Sequence, residues 1–197
     1  MRKLHVLLLS IACQVLLACS LRVVPVNAPA VNAVFDPSGT IPVQDHSAPI
    51  WTDGFLQSRN FEGVAGAPAA GMFGYEYRID LRQVVGILSI PYITSLAVDF
   101  GPHVNTLDFD GDGRADDVYV ITSGGLGNVG VSSATKSGDV ITFNFNPPVA
   151  GGGAPGRGDS TFFFGVVSTQ PRREITATAN NNQGPPLALS AWAPMHP

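Results

Sequence analysis

The residues best suited to chemistry in this sequence are five aspartates in one ten-residue stretch, DFDGDGRADD (108–117). Their order follows a DxDxDG pattern, in which positions 1, 3, 5 and 9 carry carboxylates, position 6 is a turn glycine and position 7 offers its backbone carbonyl. Calcium, a hard cation that takes about 6–8 oxygen ligands, suits such a set. The predicted ligands of this structural calcium ion are Asp108, Asp110, Asp112, Arg114 (through its carbonyl) and Asp116.

Two features separate this loop from an EF-hand. Tyr119 stands at position 12, where an EF-hand carries a bidentate glutamate, and the run VYVIT (118–122) favours a strand over a helix. The missing oxygens could come from Asp117, Asp99 or Asn105. Because the ligand set is incomplete, we expect weak affinity, roughly 10⁻⁴–10⁻³ M, as in extracellular calcium modules. The alternative is an acidic turn without an ion, because Asp and Gly are ordinary turn residues.

The sequence on either side of this loop predicts short strands separated by turns rich in Gly, Pro and Ser, and these strands must position the loop. GYEYRIDL (74–81) alternates apolar and polar residues, and so does DVITFNFN (139–146), which is expected to stop at Pro147. STFFFGVVST (160–169) is continuously apolar, which is typical of a strand buried on both faces. Further strands are expected at 95–100, 117–122, 174–179 and 187–193.

Helical periodicity is scarce in the sequence. LRQVVGILSI (81–90) could form one short helix, although Gly86 weakens it. The sequence shows no internal repeat of roughly 20–50 residues, which argues against a propeller or a solenoid. We therefore predict an all-β fold, an antiparallel, jelly-roll-like β-sandwich of about eight to ten strands.

Length and composition limit the class of protein. A chain of 197 residues has the size of one domain, and a hydrophobic content of 45% is enough to build a core. Charged residues make up only 13%, and the formal net charge is −4. The two lysines, Lys3 and Lys136, cannot form a basic surface, so a nucleic-acid partner is not expected.

The first eighteen residues have the organisation of a signal peptide. Arg2 and Lys3 form a positive n-region that precedes the apolar segment VLLLSIACQVLLA (6–18). This segment is too short to span a bilayer as a helix, which needs about 20 apolar residues. We therefore predict a signal peptide at 1–18 and an exported protein.

The end of this segment, LLACS (16–20), resembles a bacterial lipobox, although Leu17 is larger than the residue usually found there. The resemblance implies that Cys19 is lipidated and becomes the N-terminus, and that Ser20 directs the protein to the outer membrane. A membrane is then the expected partner through the lipid anchor. The alternative is cleavage near Ala18 that releases a free secreted protein.

The rest of the chain is expected to consist of a tether and one domain. Residues 19–33 contain two prolines and mostly small residues, which predicts an extended linker. The β-sandwich domain is then expected at 34–197. Cys13 lies in the signal peptide and Cys19 at its end, so the mature domain has no cysteine pair for a disulfide.

The sequence carries no catalytic signature. It lacks a GxSxG elbow and a HExxH pattern, and its three glutamates show no sign of pairing. We therefore predict a non-catalytic protein with a structural or adhesive role, whose partner is a polysaccharide or a surface protein. The alternatives are a carbohydrate-binding module, since aromatic rings can line a sugar-binding face, or a secreted hydrolase. The candidate rings are Trp51, Phe55, Tyr75, Tyr77, Tyr92 and Trp192.

Four stretches resemble exported bacterial proteins that carry a PEP-CTERM sorting signal: GYEYRIDL, DFDGDGRADDVYVITSGGLGNVG, ITFNFNPP and STFFFGVVS. The similarity spans roughly residues 70–180 and concerns pattern and order. The chain ends in LSAWAPMHP, without the Pro-Glu-Pro motif, apolar helix or basic tail of that family. The resemblance implies a role in the cell envelope or extracellular matrix, with the anchor moved to Cys19.

Overall fold

The computed structural model describes residues 18–38 and 41–196, so the predicted signal peptide lies outside the described residues except for Ala18. These ranges contain twelve strands and one α-helix, α1 (Ala28–Phe35). The strands are β1 (Cys19–Leu21), β2 (Val23–Asn27), β3 (Gln44–Ile50), β4 (Gly54–Glu62), β5 (Phe73–Asp80), β6 (Tyr92–Asp99), β7 (Val118–Ser123), β8 (Ser133–Ser137), β9 (Val140–Ala150), β10 (Phe163–Ser168), β11 (Arg172–Asn181) and β12 (Leu187–Pro194).

The strands form two six-stranded sheets that pack face to face. The first sheet has the order β1-β8-β9-β6-β11-β12 and is antiparallel throughout. The second has the order β2-β7-β10-β5-β4-β3 and contains one parallel pair, β2 with β7. The predicted all-β sandwich is confirmed, with more strands than expected. Among the described residues, no helix is long and apolar enough to cross a membrane.

The inner core, defined as the apolar cluster between the two sheets, is built largely around aromatic rings. Phe164 of β10 is fully buried, and its ring centroid lies 4.9 Å from that of Phe143 on β9 and 6.0 Å from that of Tyr77 on β5. These contacts join the two sheets, because β9 belongs to the first sheet and β5 and β10 belong to the second.

A second apolar cluster, the outer core, covers the far face of the second sheet. Tyr119 and Phe163 belong to it, whereas their neighbours Val118 and Phe164 belong to the inner core. Helix α1 contributes three buried side chains to this cluster, Val31, Val34 and Phe35. Strand β10 is therefore buried on both faces, as the continuous apolar run at 160–169 predicts.

The segment 19–33 requires a correction, because it forms β1, β2 and most of α1 where an extended linker was expected. Val24 and Val26 are only 4% and 6% exposed in the outer core, and β2 pairs with β7. Asn27 caps α1 by accepting a backbone hydrogen bond of 2.8 Å from the first turn. Residues 19–33 therefore belong to the sandwich: the alternating valines form a buried strand, and the second proline lies in the first turn of α1, where proline is tolerated.

The helix expected at 81–90 is also absent, since these residues form turns and a loop. Leu81 and Val84 are buried in the inner core, whereas Ile87 and Leu88 are 92% and 100% exposed. The apolar side chains therefore do not share one buried face, which a helix packed on the domain would require.

Strand β9 continues through Pro147, where the sequence predicts an end. It pairs with β6 up to the Ser95–Asn144 position, and the pairing resumes at Ile93–Val149 after a register shift. A register shift leaves part of the strand unpaired, so proline, which lacks an amide hydrogen, is tolerated there.

Candidate metal centre

The acidic loop connects β6 to β7 and is closed at its base by two backbone hydrogen bonds. The amide of Asp116 donates to the carbonyl of Leu107 at 2.8 Å, and the amide of Leu107 donates to the carbonyl of Asp116 at 3.2 Å. Phe109 is 2% exposed in the outer core, and its ring centroid lies 4.6 Å from that of Tyr119. The base of the loop is therefore fixed to the sandwich, while its tip is exposed.

Asp108 organises the tip of the loop. Its Oδ1 accepts a hydrogen bond from the amide of Gly111 at 2.7 Å, and its Oδ2 accepts one from Gly113 at 2.9 Å. Both glycines have left-handed backbones, with φ of 78° and 82°, which residues with a Cβ adopt only at a cost. The alternation of aspartate and glycine in the sequence thus corresponds to a real turn geometry.

Three of the predicted ligands converge in the structure. One carboxylate oxygen from each of Asp108, Asp110 and Asp116 lies within 4.8 Å of the other two. Asp116 is fully buried; its Oδ2 accepts the amide of Phe109 at 2.9 Å, whereas its Oδ1 makes no hydrogen bond. Because a buried carboxylate oxygen without a donor is costly, a nearby cation would stabilise it. Three convergent carboxylates fit a hard cation such as calcium.

A cationic side chain of the protein lies against the same group. The guanidinium of Arg22, between β1 and β2, places Nη2 2.7 Å from Asp112 Oδ2 and 3.8 Å from Asp110 Oδ2. Its Nε lies 3.2 Å from Asp116 Oδ1. Asp112 therefore pairs with Arg22 and stands apart from the three convergent carboxylates.

Arg22 was not among the predicted site residues, because it lies ninety residues from Asp112 along the chain. It falls within the segment that the sequence predicts to be a linker. The only signal that could have identified it is that it carries the single charge between residues 20 and 34.

The contacts with Arg22 and the burial of the loop base shift the pKa values of two carboxyls in opposite directions. A hydrogen bond from Arg22, followed by one from the amide of Arg114, lowers the pKa of Asp112. Burial raises the pKa of Asp116, although the amide of Phe109 and the charge of Arg22 oppose this shift. Arg22 and Asp112 thus form a favourable ion pair, whereas burial of the Asp116 carboxylate is only partly compensated.

The other candidate ligands have different roles in the structure. Asp117 Oδ2 accepts the backbone amide of Arg22 at 2.7 Å, and Asn105 Oδ1 accepts an amide from the β10–β11 connection at 3.1 Å. Asp99 lies in a separate cluster, where it pairs with Arg173 at 3.0 Å. Because these three residues are engaged elsewhere, the protein ligands for a metal would come from the loop 108–116 alone.

The predicted lipidation site lies close in sequence to Arg22, which contacts this loop. Cys19 is exposed and is the first residue of β1, three residues before Arg22. Its strand pairs with β8, with Cys19 opposite Lys136. The thiol is accessible for modification, and lipidation of Cys19 remains a prediction.

Two of the candidate aromatic residues for a sugar-binding face belong to the inner core. Tyr75 and Tyr77 are fully buried, and their hydroxyls donate to the carbonyls of Gln170 at 2.7 Å and Trp192 at 2.8 Å. These rings serve core packing and cannot contact a ligand from solvent. The other four candidate rings are partly exposed.

A second polar group lies beneath α1. Glu76 is 5% exposed and forms part of the lining of a cavity of about 300 Å³, together with Arg59 and Phe163. The hydroxyl of Tyr119 donates to Glu76 Oε1 at 3.2 Å. Burial raises the pKa of Glu76 to about 7, although the charge of Arg59 and the Tyr119 hydrogen bond oppose the shift. Glu76 is therefore a buried carboxyl that titrates near neutrality.

Replacing Glu76 by glutamine is expected to raise the free energy of unfolding at about pH 8 by about 3 kcal/mol, at about 1.4 kcal/mol per pKa unit, with little effect at about pH 4. Because its pKa is raised on folding, the stabilising contribution is present below the unfolded pKa of about 4.3 and is lost as the pH rises through about 7. Urea unfolding at both pH values measures this. The exposed Glu62→Gln is the matched control, and an equal effect of Glu76→Gln at both pH values would contradict the prediction.

The fold and the site together define a β-sandwich in which three aspartate carboxylates converge in the connection between two of its strands. No protein family, no curated protein and no solved structure matches the chain.

Proposed function

We propose that this protein is a non-catalytic exported protein of the cell envelope or extracellular space, whose sandwich is stabilised by one calcium ion in the loop 108–116. The observation that carries the proposal is the convergence of Asp108, Asp110 and Asp116, of which Asp116 is fully buried. Arg22 compensates part of the charge of Asp116, but the buried Oδ1 accepts no hydrogen bond, and a metal ion bound there would satisfy it.

The donor set fits calcium in chemistry and in geometry. All donors are oxygens, and the loop alternates carboxylates with glycines that allow its backbone to curl around a centre. Asp112 and the carbonyl of Arg114 complete the set predicted from the pattern. Without a cation, two carboxylates ~4 Å apart repel each other by about 1 kcal/mol even in bulk water, so an ion would favour the folded loop.

The cellular location is proposed from the N-terminal sequence. A signal peptide at 1–18 and a lipid on Cys19 would hold the protein at the outer membrane; cleavage without lipidation would release it. Either location exposes the loop to millimolar calcium, the range in which extracellular calcium modules bind. The role is then structural or adhesive, with a polysaccharide or a surface protein as partner.

A calcium titration followed by thermal unfolding tests the proposal. At about 10 mM calcium, the native state should gain about 1.4–2.7 kcal/mol for a dissociation constant of about 10⁻³–10⁻⁴ M. Asp110→Ala should remove this gain, whereas the exposed Asp53→Ala should retain it. The proposal fails if calcium stabilises neither the wild-type chain nor Asp53→Ala, or if Asp110→Ala responds as fully as the wild type.

A carbohydrate-binding module is the second candidate, and one cavity favours it. This cavity, of about 540 Å³, lies beside β4 and combines amide, carboxylate and guanidinium groups with aromatic rings. Such side chains can bind sugar hydroxyls and sugar faces. Screening the protein against immobilised polysaccharides distinguishes this candidate from a purely structural role.

A further inference from the structure

The oxygen atoms of the loop are divided between two partners. Asp110 Oδ1 and Asp112 Oδ1 accept backbone amides of the loop at 3.1 and 2.8 Å, and Asp116 Oδ2 accepts the amide of Phe109 at 2.9 Å. The second oxygen of each of these three carboxylates faces Arg22, at 3.8, 2.7 and 3.2 Å respectively. Both oxygens of Asp108 accept loop amides as well, so the carboxylate oxygens of the loop that accept no backbone amide are the ones that face the guanidinium.

We propose that Arg22 is the resident cation of this loop and that calcium binds in exchange for its guanidinium. The inference rests on the proposed function, because it assigns a competitor to the proposed calcium site. It makes Arg22 the residue that sets the calcium affinity, although Arg22 contributes no ligand.

The two cations cannot share these oxygens. Calcium binds oxygen at about 2.3–2.6 Å, so an ion coordinated by Asp110 Oδ2 and Asp116 Oδ1 would lie against the guanidinium nitrogens that are now 3.8 and 3.2 Å from these two oxygens. Even if the side chain moved by a few ångströms, a positive charge beside a divalent ion would be repelled. Binding therefore requires the guanidinium of Arg22 to withdraw.

The Asp116 carboxylate supplies a second, independent indication that a cation belongs here. Its Oδ1 is buried and makes no hydrogen bond, and the nearby Arg22 Nε is an ion-pair contact only. Arginine satisfies the charge of this oxygen but not its hydrogen-bonding capacity. A metal ion, which bonds a carboxylate oxygen directly, would satisfy both.

Exchange of the side chain does not require the N-terminal strands to detach. The backbone amide of Arg22 donates to Asp117 Oδ2 at 2.7 Å, and its carbonyl accepts the amides of Asp117 at 3.2 Å and Val118 at 2.9 Å. The side chain itself is 34% exposed, so its guanidinium can swing into water while these bonds persist. Calcium thus exchanges against a tethered cation, and the chain between β1 and β2 stays in place.

Isothermal titration of the full-length chain with calcium chloride tests the exchange. Arg22→Gln removes the competing charge and keeps most of the side-chain length, so it should tighten calcium binding about tenfold relative to the wild type. The matched control is Arg157→Gln, which removes the same charge from an exposed side chain in the connection between β9 and β10, outside the acidic loop; it should change the affinity less than about threefold. Arg22→Lys retains the charge and should stay close to the wild type.

The outcomes separate this inference from the proposed function. The exchange is overturned if Arg22→Gln binds calcium with the same affinity as the wild type or more weakly. The proposed calcium site would still be supported in that case. A similar gain in Arg157→Gln also overturns the exchange, because the net charge of the protein would then explain the effect. If no variant binds calcium, the proposed function falls together with the inference.

Thermal unfolding gives a second measurement that guards against misfolding of the variant. Without calcium, Arg22→Gln should melt below the wild type, because three of the loop carboxylates lose the guanidinium that pairs with them. Saturating calcium should close this gap. A deficit that persists at saturating calcium, with far-ultraviolet circular dichroism unchanged, would show that Arg22 is structural and would overturn the exchange.

Discussion

Replacing Asp116 by alanine is expected to lower the free energy of unfolding by about 3 kcal/mol in calcium-free buffer and to abolish stabilisation by calcium. The substitution leaves the buried amide of Phe109 without its acceptor and removes the partner of Arg22 Nε. It also deletes the one buried member of the three convergent carboxylates. Urea unfolding with a chelator and with about 10 mM calcium measures both effects.

Asp116→Asn is the matched control for this prediction, because its side-chain oxygen can still accept the amide of Phe109. It should cost about 1 kcal/mol in calcium-free buffer, yet it should respond to calcium as poorly as Asp116→Ala, because the carboxylate is lost. A full calcium response in Asp116→Asn would contradict the role of this residue as a ligand. An effect of Asp116→Ala below about 1 kcal/mol would contradict its role in closing the loop.

Replacing Phe164 by alanine is expected to lower the free energy of unfolding by about 4 kcal/mol, a larger loss than that expected for Asp116→Ala. Phe164 is fully buried in the inner core, and its ring contacts Phe143, Tyr77 and Phe145 at centroid distances of 4.9, 6.0 and 5.8 Å. Truncation removes a large apolar surface and leaves a cavity that both sheets border. Equilibrium unfolding in urea, with or without calcium, measures the loss.

Phe164→Leu keeps most of the apolar volume and should cost less than half as much as alanine. Neither substitution should alter the calcium dissociation constant, because the acidic loop contacts the outer core through Phe109 and not the inner core. The packing argument is wrong if alanine and leucine destabilise the protein equally. Altered calcium affinity in either variant would mean that the inner core and the loop are coupled.

The position of β1 changes the expectation for a lipid-anchored form. Because Cys19 is already the first residue of a paired strand, a lipid on this residue would leave no linker between the bilayer and the sandwich. The acidic loop would then lie near the membrane surface, since Arg22, three residues further on, contacts it. Calcium binding would place the ion at the same end of the domain as the anchor.

The sequence by itself determined the elements whose formation depends on local pattern. The alternation at 74–81 corresponds to β5, because residues two apart share one face of a strand. The apolar run at 160–169 corresponds to β10, which is buried on both faces. The turn geometry of the acidic loop also follows from local chemistry. Asp108 bonds to Gly111 and Gly113, which are only three and five residues away.

Only the tertiary structure decided the features that depend on residues far apart in the chain. Nothing near Arg22 in the sequence indicates that its guanidinium meets Asp112, because β2 pairs with β7 across about ninety residues. The same pairing buries Val24 and turns an apparent linker into a strand. Local patterns reveal what a segment can form, whereas the burial and the charge partners of that segment depend on which strands the fold brings beside it.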